Sequence, residues 1–136
     1  VSARLGILVV AAVAGCAGEL ENPERFASCP PGFVEQLFQT RCAGACHGAT
    51  EPEAGLDLVS TGVEARLVGE ASTTTFCEGA LMIDPEGTSD ADHLLLDKLG
   101  ADPSCGSRMP FGAEPLSAAE LECVRRWVDA TLGAQP

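Results

Sequence analysis

Cys42-Ala43-Gly44-Ala45-Cys46-His47-Gly48 places two thiols and an imidazole within six consecutive residues. Such a group can close disulfides, hold a metal ion or bond a cofactor, and the thiolate form does the chemistry in each case. Three small residues separate the cysteines, and Gly44 among them is free to adopt unusual backbone angles. His47 follows Cys46 directly, a placement that chance explains poorly; an exposed loop histidine is the plain alternative.

Upstream of the motif, Phe33, Leu37 and Arg41 fall on one line of a helix, and Val34 and Phe38 widen it into an apolar stripe. This spacing predicts a helix over about 32–42 that runs straight into the motif. Downstream, residues 48–61 read as a loop with a short apolar patch at Leu56 and Leu58. Residues 62–68 suit a short helix ended by Gly69. Residues 70–88 read as loop, with a short extended piece at Leu81-Met82-Ile83. Ser89 suits an N-cap with Asp92 at the third helical position, where the helix dipole favours negative charge. Leu94, Leu95, Leu96 and Leu99 follow, and Gly100 stops the helix.

Residues 101–115 form a loop containing CGSRMPFG. The last helix carries the strongest local signals. Ser117 and Glu120 spell a capping box, and Leu116 and Leu121 stand where a hydrophobic staple would lie. Leu121, Val124 and Val128 form its inner line, with Cys123 and Trp127 on a neighbouring one. The expected fold is all-α, about four helices joined by long loops. Loops of that length in a small domain call for a bound group or for staples.

The N-terminal residues read differently. Arg4 is the only charge before Glu19, and Leu5 to Ala14 is an apolar run shorter than the roughly 20 residues of a permanent membrane helix. A basic residue, a short apolar core and then small residues spell a secretory signal. The run ends in Val13-Ala14-Gly15-Cys16, which resembles a bacterial lipobox. That resemblance implies cleavage before Cys16, lipidation of its thiol, and an exported chain held to a membrane surface through buried CH₂ groups at about 0.8 kcal/mol each. The plain alternative is an ordinary cysteine in an uncleaved or differently cut signal. The expected division is a signal peptide over 1–15, a lipidated tether over 16–31 and one domain over 32–136.

Formal charge is −12, and loss of Arg4 makes it −13. So acidic a domain does not bind nucleic acid through a phosphate-facing surface. Its charge favours solubility and steers a basic partner, or is simply a solvated surface. Two histidines, with no nucleophile elbow and no zinc-protease motif, give no support to hydrolase chemistry.

The segment QLFQTRCAGACHG followed far downstream by SRMPFGAEPLSAAELECVRRWV resembles a class I c-type cytochrome. In that family a helix enters the haem-attachment motif, a methionine loop follows, and a C-terminal helix packs across the first. The usual attachment motif has two residues between its cysteines; here there are three, so one residue must bulge. The resemblance touches both ends of the domain and leaves about 50–100 without a family signature. It implies one covalent haem c bonded at Cys42 and Cys46, with His47 and Met109 as the iron ligands. A thioether ligand raises the reduction potential, and a filled sixth position leaves outer-sphere electron transfer with a redox partner rather than catalysis. His93 would be the reserve ligand and is otherwise a surface or cap-proximal residue. Met82, beside Leu81 and Ile83, suits simple packing. Arg108 suits a propionate partner or a solvated side chain, and Trp127 suits the core.

Seven cysteines complete the picture. With Cys16 as anchor and Cys42 and Cys46 on haem, four remain for two disulfides; without haem, six make three disulfides with 15 connectivities. The family's crossing of first and last helices pairs Cys29 with Cys123, and Cys77 with Cys105 is the expected second pair because both lie in long loops that need fixing. The competing readings are a haem-free, disulfide-stapled envelope lipoprotein that binds or supports a partner, and a zinc site from Cys42, Cys46, His47 and another cysteine.

Overall fold

The computed structural model describes residues 21–135. The expected signal peptide and the lipid anchor at Cys16 lie outside the described residues. Four α-helices are present: α1 (Phe33–Leu37), α2 (Val63–Leu67), α3 (Leu94–Leu99) and α4 (Ala118–Gly133). Short 3-10 turns occupy Pro23–Phe26, Glu53–Gly55 and Asp90–Asp92. No strand is formed among the described residues, only two isolated bridges, Val68 with Ile83 and Ala71 with Leu81. The all-helical expectation holds at this level.

α1 starts where Gly32 adopts φ 77°, a left-handed turn that suits a residue without Cβ, and Phe33 donates its N–H back to the Pro30 carbonyl at 3.1 Å. Val34, Leu37 and Phe38 are buried, as the stripe predicts. Phe38 continues the helical path, and the chain widens into a π-type stretch over Phe38–His47. The stretch runs past the expected helix end near residue 42, but its helical path is broken at Gly44 inside the motif.

α4 is the spine against which the rest packs. The Ser117 Oγ accepts the Glu120 N–H at 3.2 Å, and Glu120 Oε2 accepts the Ser117 N–H at 2.7 Å, closing the capping box. Val124 and Val128 have no exposed surface. Against them stand α1, α2 and α3. Phe38 meets Trp127 edge to face, with ring centroids 5.5 Å apart, a pairing that adds about 1 kcal/mol beyond burial. Trp127 is half-buried and donates its Nε1–H to Glu35 at 3.1 Å. Arg126 donates to the Ala27 carbonyl at 3.1 Å and to the Arg25 carbonyl, and Cys29 is bonded to Cys123. The segment before α1 is thus strapped to α4.

The middle of the chain adds Leu67, Met82 and Ile83 to the core and is pinned by backbone bonds. Gly69 donates to the Ile83 carbonyl at 2.9 Å, Ile83 to Leu67 at 3.0 Å and Met82 to Glu70 at 2.8 Å. The first N–H groups of α3 go to this ribbon: Leu94 to Leu81 at 2.9 Å and Leu95 to Met82 at 3.1 Å. Those tertiary acceptors replace a side-chain cap. They explain why α3 begins at Leu94 and not directly after Ser89. Ser89 and Asp92 do make a capping box, but on the 3-10 turn, and His93 then leaves the helical path at φ −101°, ψ 106°. His93 is cap-proximal as expected, yet it is only 4% exposed; the surface placement is corrected. Its Nδ1 accepts the Asp84 N–H at 3.1 Å, which satisfies the buried ring. The Cys77–Cys105 disulfide ties the ribbon's far loop to the segment after α3.

Candidate functional site

The motif occupies the last turns of the stretch that begins in α1. Within it Gly44 alone has non-helical angles, φ 18° and ψ −121°. The break in the helical path falls on the residue without a side chain.

Cys42 is half-buried against the core, whereas Cys46 is exposed. Among the described residues neither is in a disulfide, while Cys29, Cys123, Cys77 and Cys105 pair off as two bridges. Burial pushes the Cys42 thiol up to about 11 against a weaker opposing pull from Arg41. That thiol stays protonated at neutral pH and is slow in disulfide exchange. The two bridges also remove Cys29, Cys77, Cys105 and Cys123 as the extra thiolate of a zinc site. Among the described residues no group of three or more His, Cys, Asp or Glu is arranged to hold a metal ion.

His47 is half-buried and fixed twice. Its Nδ1 lies 3.2 Å from the Leu56 carbonyl, and its own carbonyl accepts the Leu58 N–H at 3.0 Å. A carbonyl can only accept, so this contact puts the proton on Nδ1 and leaves the Nε2 lone pair for a metal. The supporting loop is itself braced. Asp57 Oδ1 accepts the N–H groups of Val59 and Ser60 at 2.9 and 3.0 Å. Arg66 donates to the carbonyls of Asp57 and Ser60 at 3.1 and 2.9 Å. The Ser60 hydroxyl and backbone bonds, then the Val59 N–H and Arg66, hold the Asp57 carboxyl down to about 2.

Met109 is half-buried and packs against the core, and its N–H donates to the Lys98 carbonyl at 2.7 Å. The bond that joins the motif to this loop comes from Arg41, which reaches Glu114, Pro115 and Glu120. Met82 is buried as expected, Arg108 is exposed and makes no ion pair among the described residues. Two shallow clefts, about 430 and 320 Å³, lie beside Gln36, Leu58 and Thr61 and beside Pro31, Cys29 and Trp127. Neither includes Cys42, Cys46, His47 or Met109.

By donor chemistry these residues fit a covalently held haem: two unpaired thiols, an imidazole with a free Nε2, and a thioether. Sequence reasoning missed three supports, the Leu56 carbonyl, the Asp57–Arg66 brace and the reach of Arg41. A backbone acceptor leaves no sequence signal. Asp57 followed by Ser60 carried a weak one, the side-chain turn that aspartate makes with backbone N–H groups ahead of it. Comparison with protein families, with curated proteins and with solved structures found no match to this chain.

Proposed function

We propose that the chain is a monohaem c-type cytochrome, exported and held to a bacterial membrane by a lipid on Cys16, that carries electrons and is not a catalyst. One observation carries this reading: four of the six cysteines after Cys16 are paired, and the two left over are those beside a histidine whose Nδ1 is tied down. Cys42 and Cys46 would hold the haem through thioether bonds, with His47 Nε2 and Met109 Sδ as iron ligands. The bound haem supplies an iron that gains or loses one electron without an open position for substrate.

The rest is work for the chain. The Leu56 carbonyl keeps the imidazole in one tautomer and one orientation. Burial of Cys42 protects one thiol from oxidation before it is used. The acidic surface favours a basic redox partner and rejects nucleic acid.

The alternative is a haem-free, disulfide-held envelope lipoprotein that binds or supports a partner. Two clefts that lie away from the motif, lined in part by Gln36 and Thr61 and by Pro31 and Trp127, support it.

Expression into a periplasm with cytochrome maturation enzymes separates the two. Sharp reduced α and β bands, with haem retained on a denaturing gel and lost in Cys42→Ser/Cys46→Ser, are the expected result. A colourless protein with a third disulfide joining Cys42 and Cys46 overturns the cytochrome reading.

A further inference from the structure

Arg41 stands one residue before Cys42 and spends its guanidinium on another part of the fold. Its Nη2 donates to the Glu114 carbonyl at 2.8 Å and toward the Pro115 carbonyl at 3.4 Å, and its Nη1 meets Glu120 Oε1 at 3.2 Å. The other carboxylate oxygen of Glu120 is taken by the Ser117 cap. One carboxylate therefore serves both the start of α4 and the attachment segment without competition. The loop concerned begins at Met109, whose N–H is fixed on the Lys98 carbonyl. Between Met109 and Leu116 only Pro110 is partly covered, and residues 111–115 are exposed. Leu116 is buried at the α4 end; just ahead of it the exposed residues Glu114 and Pro115 are tied by the fork of Arg41.

We propose that Arg41 is a positioning residue for Met109: it fixes the end of the methionine loop to the segment that carries Cys42, Cys46 and His47, and so keeps the thioether on the iron. This role rests on the cytochrome reading above. A guanidinium suits it because its planar fork reaches a carboxylate and a carbonyl together, which a single ammonium does not.

The test uses the haem-loaded protein matured in cells. It compares Arg41→Ala, Arg41→Lys and Glu120→Ala with wild type by the near-infrared band of the methionine–iron bond and by imidazole affinity of the ferric form. Amide hydrogen exchange over 109–117 is measured alongside. Arg41 is about a third exposed. The expected effect is correspondingly moderate: imidazole displaces the thioether about fivefold more readily in Arg41→Ala, the band weakens, and exchange over 109–117 quickens. Arg41→Lys falls between. Glu120→Ala, which breaks the cap and one arm of the fork but spares the two carbonyl bonds, lowers thermal stability and shifts imidazole affinity less than Arg41→Ala does. That last contrast separates positioning from general loosening. A haem-bearing wild type whose Arg41→Ala variant has unchanged imidazole affinity overturns the positioning role alone. A wild type that carries no haem overturns it together with the functional reading.

Discussion

In α1 and α4 the contact is made by side chains at helical spacing: Val34, Leu37 and Phe38 on one side, Val124, Trp127 and Val128 on the other. Between residues 67 and 95 buried side chains such as Leu67, Met82 and Ile83 also join the core, but the chain is pinned by backbone N–H and carbonyl pairs, and α3 takes its first acceptors from that ribbon. Each region then receives one disulfide, Cys29–Cys123 for the helical clasp and Cys77–Cys105 for the loops. The two kinds of contact differ in what they ask of the sequence. Side-chain packing fixes residue types at fixed intervals, whereas backbone pairing fixes only the path of the chain.

The comparison breaks most sharply on the disulfides. Cys29–Cys123 closes 94 residues and Cys77–Cys105 closes 28, so loop-closure entropy assigns them about 4.7 and about 3.6 kcal/mol. Denaturant titration of Cys29→Ser/Cys123→Ser is expected to show the larger loss of all the variants considered. Equal losses from the two pairs would mean that native packing, not chain entropy, sets their contribution. Phe38→Ala comes next: it empties a fully buried site and removes the edge contact on Trp127, at about 4 kcal/mol by thermal or denaturant unfolding. Loss of Cys77–Cys105 should follow at the value above, with faster amide exchange confined to the loops around it. Ser117→Ala should cost about 1 kcal/mol, since the two bonds of its hydroxyl to Glu120 are lost while α4 stays packed.

The smallest effect concerns acid. Asp57 sits near 2 in the folded chain, below the ordinary carboxylate range, so its contribution is fully present above the unfolded value. It is lost as pH falls from about 4 to about 2. Asp57→Asn should remove that part of the acid dependence and leave the rest of the stability curve in place. An unchanged acid limb would show that the brace beneath His47 does not depend on the charge.

Much of this was legible in advance because the clues were local. The Ser117–Glu120 box, the Leu116 side chain at the staple position and the leucines of 94–99 each act over one or two turns, and each appears where the spacing puts it. The two disulfide pairs also match the expectation drawn from crossing helices and unfixed loops. The candidate site was legible only as a set of donors. Its supports come from Leu56, Asp57, Arg66 and Glu120, and a backbone carbonyl looks the same in every residue. His93 shows the limit from the other side: a polar residue among leucines reads as exposed until a distant N–H, that of Asp84, is found to satisfy it.

The sequence by itself determined the helix sites, the caps, the three small residues between Cys42 and Cys46 and the acidic surface, because each follows from neighbours along the chain. Only the tertiary structure decided which cysteines stay unpaired, how His47 is held on Leu56, where α3 begins and what Arg41 grips. Those outcomes depend on groups far apart in sequence reaching bonding distance, and a hydrogen bond or a disulfide forms only when the fold has brought both partners there.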